Sequence, residues 1–421
     1  MTTAVRQRTG KKGHHESAQG AIDHAGGRIA AEHSGGDGMS TSIPFEATQG
    51  RERPVRTANA ITVADAAGTA ARAGAWVVLL GIVVTTVGTS WDIQWHTDVG
   101  PDTFFTLPHL FLYSGSAISG FASLAMVVLT TSAQRAGREV PRGGGTPIRV
   151  FGGALTAPIG YIVAGAGAAL FLLYGLFDLE WHSIYGFDAV LNTPSHVALF
   201  LSISVTMVGG IVVCAAARDR GWGRAGLLLA IPVLIAFGPT AFNGLSALPL
   251  PVDPGLLGIL FCAPTLLIMG ATLLGDGAAV RIAVVLGILQ AVLWWFSPWA
   301  TRAYADVVGL PMRDGLAHQA PELPNAIPMF LIVAAVAVEI LFRPARAVRL
   351  GTRALVVFSG LIAGLVVGAG LAVQMSLFSG ATRVNSGRTL ALSVLGLLLG
   401  PLAAYLGTRF AVLLRVQGDS R

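Results

Sequence analysis

The chain predicts an all-α fold, a polytopic bundle of about ten transmembrane helices in five hairpins, the first two hairpins forming an internal repeat. Three observations carry this. Of 421 residues, 53% are hydrophobic and only 12% charged, against about 25% charged in soluble domains. Apolar runs of roughly bilayer-spanning length recur at 73–91, 107–131, 153–177, 194–217, 224–242, 254–274, 280–297, 327–342, 354–375 and 389–414. One polar pattern occurs twice, 86 residues apart, each time where one apolar run gives way to the next.

Residues 1–70 are of different material, rich in Gly, Ala, Ser, Thr and charge. Such a segment buries too little apolar surface to offset its ordering entropy, so it is expected to be a disordered cytoplasmic tail. Its basic start is not followed by a short apolar stretch, so it does not read as a secretory signal. Residues 71–217 hold the two repeated hairpins, and 218–421 supply further transmembrane helices. The eighth apolar run is short and carries Glu339, the one acid expected deep in the membrane.

The connections alternate in charge. Arg135, Arg138, Arg142 and Arg149 fall in one, Arg218, Arg220 and Arg224 in another, Arg281 in a third, and Arg343, Arg346, Arg349 and Arg353 in a fourth. The intervening connections hold only Arg302, Arg313, Arg383 and Arg388, all late in the chain. Basic loops stay cytoplasmic, which predicts cytoplasmic termini and an extracytoplasmic position for both copies of the pattern. The net charge of +6 therefore reflects membrane orientation and not nucleic-acid binding. Cys214 and Cys262 lie inside apolar runs without paired spacing and read as small apolar fillers.

The repeated pattern is D-x-x-W-H-x-x-x-G-x-D, then a gap, then T-x-x-H. The first copy holds Asp92, Trp95, His96, Gly100, Asp102 and His109; the second holds Asp178, Trp181, His182, Gly186, Asp188 and His196. These are the only histidines in the apolar half of the chain's hairpins; the others lie in the tail or, as His318, in a long loop. Ionisable groups at membrane depth are expensive and are kept where they pair or bind something. An Asp and a His four residues apart project from one helix face. Pro108 and Pro194 suit the first turn of the next helix, which carries the second His back to the first. Asp92, His96 and His109, and likewise Asp178, His182 and His196, are thus predicted to converge on a metal ion. Two imidazoles and a carboxylate suit copper, zinc or iron and leave a position open for water or substrate.

Asp102, Asp188 and Glu180 are candidates to orient a ligand from behind or, for a hydrolase, to serve as general base. Trp95 and Trp181 are expected in an interfacial aromatic belt, walling each site from water. For one copy alone a metal-free Asp–His latch is the better account; two copies of the same trio, holding every histidine of the apolar runs, favour the metal.

The spacing D-x3-H-x12-H followed by D-x3-H-x13-H resembles the C subunit of the copper membrane monooxygenases, the particulate methane and ammonia monooxygenases. The likeness covers about 125 residues, helices one to four, under a third of the chain, with its six matching positions between Asp92 and His196. It implies an all-helical membrane subunit with two neighbouring copper sites, a small hydrophobic substrate, dioxygen chemistry and partner subunits. The family's second site begins with Asn where this chain has Asp178, which adds charge and makes the two sites more alike. Two other classes stay open on the residues alone. One is a membrane-embedded zinc hydrolase acting on lipid, although no HExxH is present; the other is a metal carrier. A bis-histidine haem leaves both aspartates unexplained.

Overall fold

The computed structural model describes residues 55–138, 140, 143–186, 192–315, 320–348, 352–379 and 383–419. It is an all-α bundle in which ten helical spans are long and apolar enough to cross a membrane. In chain order these are α1 Val55–Asp98, α2 Leu107–Arg135, α3 Ile159–Tyr185, α4 Pro194–Ala215, α5 Gly221–Phe237, α6 Pro254–Leu274, α7 Ala278–Val308, the short α8 Glu322–Ala326 with α9 Leu331–Val348, α10 Thr352–Phe378 and α11 Ser386–Asp419. A two-stranded antiparallel hairpin, Pro147–Val150 with Leu155–Pro158, is folded into the basic connection after α2. Helix α1 begins well before the apolar run at 73, so the last part of the segment expected to lack structure is helical. Residues 1–54 lie outside the described residues.

The repeat is visible in the packing as well as in the polar pattern. In the first hairpin, a Cβ at Gly81 of α1 would overlap the Ser119 side chain and the Gly115 carbonyl of α2. In the second, a Cβ at Gly167 of α3 would overlap Thr206 and the Ser202 carbonyl of α4. Small residues at matching positions let each pair of backbones approach closely. Helix α1 also touches α4 and α2 touches α3, so the four helices close on one another. Because α1 and α3 run in the same direction, both motif loops emerge at one end.

The later helices brace this unit. Helices α5 and α7 pack on α1, with Ser90 and Ser297 sharing a buried 2.8 Å hydrogen bond. Helices α10 and α11 meet along Gly360, Gly364, Gly396 and Gly400, whose backbones are in contact. Between α8 and α9 the helix breaks, and two glutamines satisfy its freed backbone groups. Gln290 Nε2 donates to the Pro324 and Ile327 carbonyls at 2.8 and 2.9 Å, and Gln374 Oε1 accepts from Met329 N at 2.9 Å. Non-helical backbone at membrane depth survives only where such partners exist. Glu339 is buried, and its Oε1 accepts from Ala279 N at 3.0 Å; it caps the start of α7 from a neighbouring helix.

Candidate metal centre

Asp92 and His96 occupy the last turns of α1, and His109 the first turn of α2. The loop between them folds back on the helix end. It can do so because Gly100 takes φ +103°, while the Gly100 N–H still bonds the Trp95 carbonyl at 3.0 Å. The Trp95 indole N–H donates to the Pro101 carbonyl at 3.0 Å and pins the loop from inside. This fold-back delivers Asp102, whose side chain is 2% exposed, into the space between the two histidines.

The result is a four-residue cluster. Asp92 Oδ1 lies 3.0 Å from His109 Nε2 and 3.9 Å from His96 Nε2. Asp102 Oδ2 lies 3.1 Å from His96 Nε2 and 3.3 Å from His109 Nε2. His109 places its other ring nitrogen, Nδ1, 2.9 Å from the Thr103 carbonyl, so Nδ1 carries the proton. In the neutral ring Nε2 is then an acceptor, and it faces two carboxylate acceptors. Such a contact is resolved by a metal ion between the acceptors or by a second proton on the ring.

The second cluster repeats the arrangement with three residues. Asp178 Oδ1 lies 3.4 Å from His182 Nε2 and 3.6 Å from His196 Nε2. His182 Nδ1 is 3.0 Å from the Gly186 carbonyl, and Gly186 has φ +83°. The T-x-x-H element is a helix cap here, the Thr193 hydroxyl accepting from the His196 N–H at 3.3 Å.

Both clusters fit a metal ion. Within each, one ligand atom from every residue lies within 4.8 Å of all the others. Around a tetrahedral ion with bonds of about 2.0–2.2 Å, ligand atoms stand about 3.3–3.6 Å apart, close to the separations found. Asp92 Oδ1, Asp102 Oδ2 and Asp178 Oδ1 are buried without a hydrogen bond of acceptable geometry. A cation would satisfy all three. The hydrogen bonds from His109 and His182 to backbone carbonyls are those that fix the tautomer of a ligating histidine.

The two clusters are not separate. Asp92, His96, His109, Asp178 and His196 line one cavity of about 50 Å³, closed on its apolar side by Leu112, Phe171, Leu199, Phe200 and Ile203.

Several expectations are corrected. Asp102 does not orient a histidine from behind; it faces the same Nε2 atoms as Asp92, because the loop folds inward and not along the surface. Glu180 is exposed and outside the second cluster, since two residues past Asp178 a side chain points about 200° around the helix. Trp95 is buried and packs on Tyr304 of α7, so it is a loop anchor and not part of an interfacial belt. Trp181 is half-buried and packs on Phe177 and Tyr185 beside the second cluster. Asp188 and His318 lie outside the described residues.

The structure adds residues that pattern reading passed over. Arg313, in the connection after α7, donates its backbone N–H to the Asp98 carbonyl at 2.7 Å and its guanidinium to the Thr97 carbonyl at 3.3 Å. Its guanidinium also fills the space a Cβ would need at Gly100. Tyr304 packs on both Trp91 and Trp95. Together they clamp the first motif loop. Tyr113, on the same face of α2 as His109 and four residues on, lines the shared cavity; its spacing from His109 was the available signal.

Comparison with protein-family models, with characterised proteins and with solved structures found no match to this chain.

Proposed function

We propose that this protein is an integral membrane copper protein of the oxygenase type, or a subunit of one. Asp92, His96, Asp102 and His109 would hold one ion, and Asp178, His182 and His196 a second. The observation that carries this is the pair of Asp/His clusters opening onto one cavity. Sets of two imidazoles with one or two carboxylates accommodate copper, iron and zinc, and the spacing resemblance to the monooxygenase C subunit favours copper among them. Copper, when bound, supplies one-electron chemistry with dioxygen. The chain's own residues hold the ions, fix the imidazole tautomers through Thr103 and Gly186, and exclude bulk water with Leu112, Phe171 and Phe200. The arginine distribution supports an extracytoplasmic position for both sites. The cavity weighs against the lipid-hydrolase alternative, because about 50 Å³ admits a few water-sized molecules and not an acyl ester.

The test is elemental analysis of protein purified from the membrane, paired with oxygen uptake in the presence of an added reductant. Copper, with uptake abolished by His96→Ala, supports the reading. Zinc with no uptake overturns it in favour of the hydrolase.

A further inference from the structure

Two hydroxyl side chains line the shared cavity, those of Thr89 and Tyr113. Thr89 is spent, since its Oγ1 donates to the Thr85 carbonyl within α1 at 2.9 Å. The half-buried Tyr113 makes no hydrogen bond through its hydroxyl among the described residues, and that oxygen is not one of the fully buried unpaired atoms. Its ring is held on two sides, 6.1 Å from the centroid of His109 and 6.1 Å from that of Phe171. It lines the cavity together with Asp92 and His109 of one cluster and Asp178 and His196 of the other. A hydroxyl that lines a cavity and has no protein acceptor is free to donate to whatever small polar molecule the cavity holds.

The corresponding position in the second hairpin, four residues past His196, is Phe200, whose ring stacks on His196 at 6.3 Å. The cavity therefore carries a hydroxyl beside the first site where it carries a phenyl ring beside the second. Its volume of about 50 Å³ sets the size of any occupant, a water needing about 10–15 Å³.

We propose that Tyr113 is the hydrogen-bond donor that holds a small polar ligand, water or an anion of two or three heavy atoms, in the cavity between the two sites. This rests on the metal reading above. Two carboxylates, Asp92 and Asp178, line the cavity, so an anion enters only when the clusters hold cations, and the donor then biases it toward the first site. Tyr113 neither ligates nor closes the cavity; it positions what the cavity holds.

The experiment uses full-length protein loaded with Cu(II), with azide as the probe and the azide-to-copper absorption band as the readout. Wild type and Tyr113→Phe are compared, with copper per chain measured on each sample. A hydrogen bond to a charged acceptor predicts that Tyr113→Phe retains its copper and binds azide at least roughly tenfold more weakly. Equal azide affinity at equal copper content overturns this inference and leaves the metal reading standing. Loss of copper from Tyr113→Phe also overturns it, because Tyr113 would then serve the sites themselves. Wild type that takes up no copper overturns the metal reading, and this inference with it.

Discussion

The two motif hairpins share a ligand plan but not a setting. In both, a carboxylate and a histidine at a helix end meet a histidine from the next helix's first turn, and a left-handed glycine turns the chain out of the helix. The first copy adds Asp102 from its loop, and that loop is clamped by Arg313 and by Tyr304 of α7. The described part of the second cluster has three members, and its exit turn, Gly186, is exposed. Duplication explains the common geometry. Later helices reach both copies, α5 and α7 packing on α1, and α5 and α11 on α4, but among the described residues the grip on a motif loop, through Arg313 and Tyr304, is on the first. The helices outside the repeat thus do more than fill the membrane; α7 and the connection after it fix the first motif loop.

This asymmetry can be broken at graded cost. The largest effect is expected from Asp102→Asn, which removes a charge from the first cluster alone. Its metal affinity should fall by on the order of 100-fold, while the second site is unchanged, as read by chelator competition at each site. Equal loss at both sites would mean that the clusters act as one unit. Next come Gly81→Val and Gly167→Val, which probe what the copies share. Both force side-chain atoms into a neighbouring backbone, and each should cost about 1–3 kcal/mol, lowering the thermal midpoint in detergent to a similar extent. A large effect at one and none at the other would refute the packing equivalence. The smallest effect is expected from Arg313→Ala. It loosens the first loop without touching a ligand and should weaken metal binding at the first site by about tenfold. Comparable weakening at the second site would show that the clamp acts on the whole bundle.

Much of this was legible in the amino-acid order. The ten spans follow from apolar runs that only a bilayer accommodates, and the convergence of Asp92, His96 and His109 follows from helical periodicity and a proline-started helix. What was not legible depends on irregular backbone or on distant packing. Asp102 sits in a loop, where no period tells which way a side chain points. Trp95 looked interfacial because it lies at a helix end, but its partner Tyr304 belongs to α7. The small residues at Gly81 and Gly167 carry the repeat into the membrane without any polar signal. Glu180, by contrast, was misread against a rule the sequence does contain, since it lies on the opposite helix face from Asp178. Tyr113 was legible by the same rule, one turn past His109.

The account stands on two metal ions bound by two similar clusters. The direct measurement is metal per chain in wild type, His96→Ala, His182→Ala and the double variant, each purified and loaded identically. Two ions in wild type, one in each single variant and none in the double variant is the predicted result. The same metal content in wild type and the double variant would contradict it and leave the clusters as hydrogen-bonded latches between helix ends.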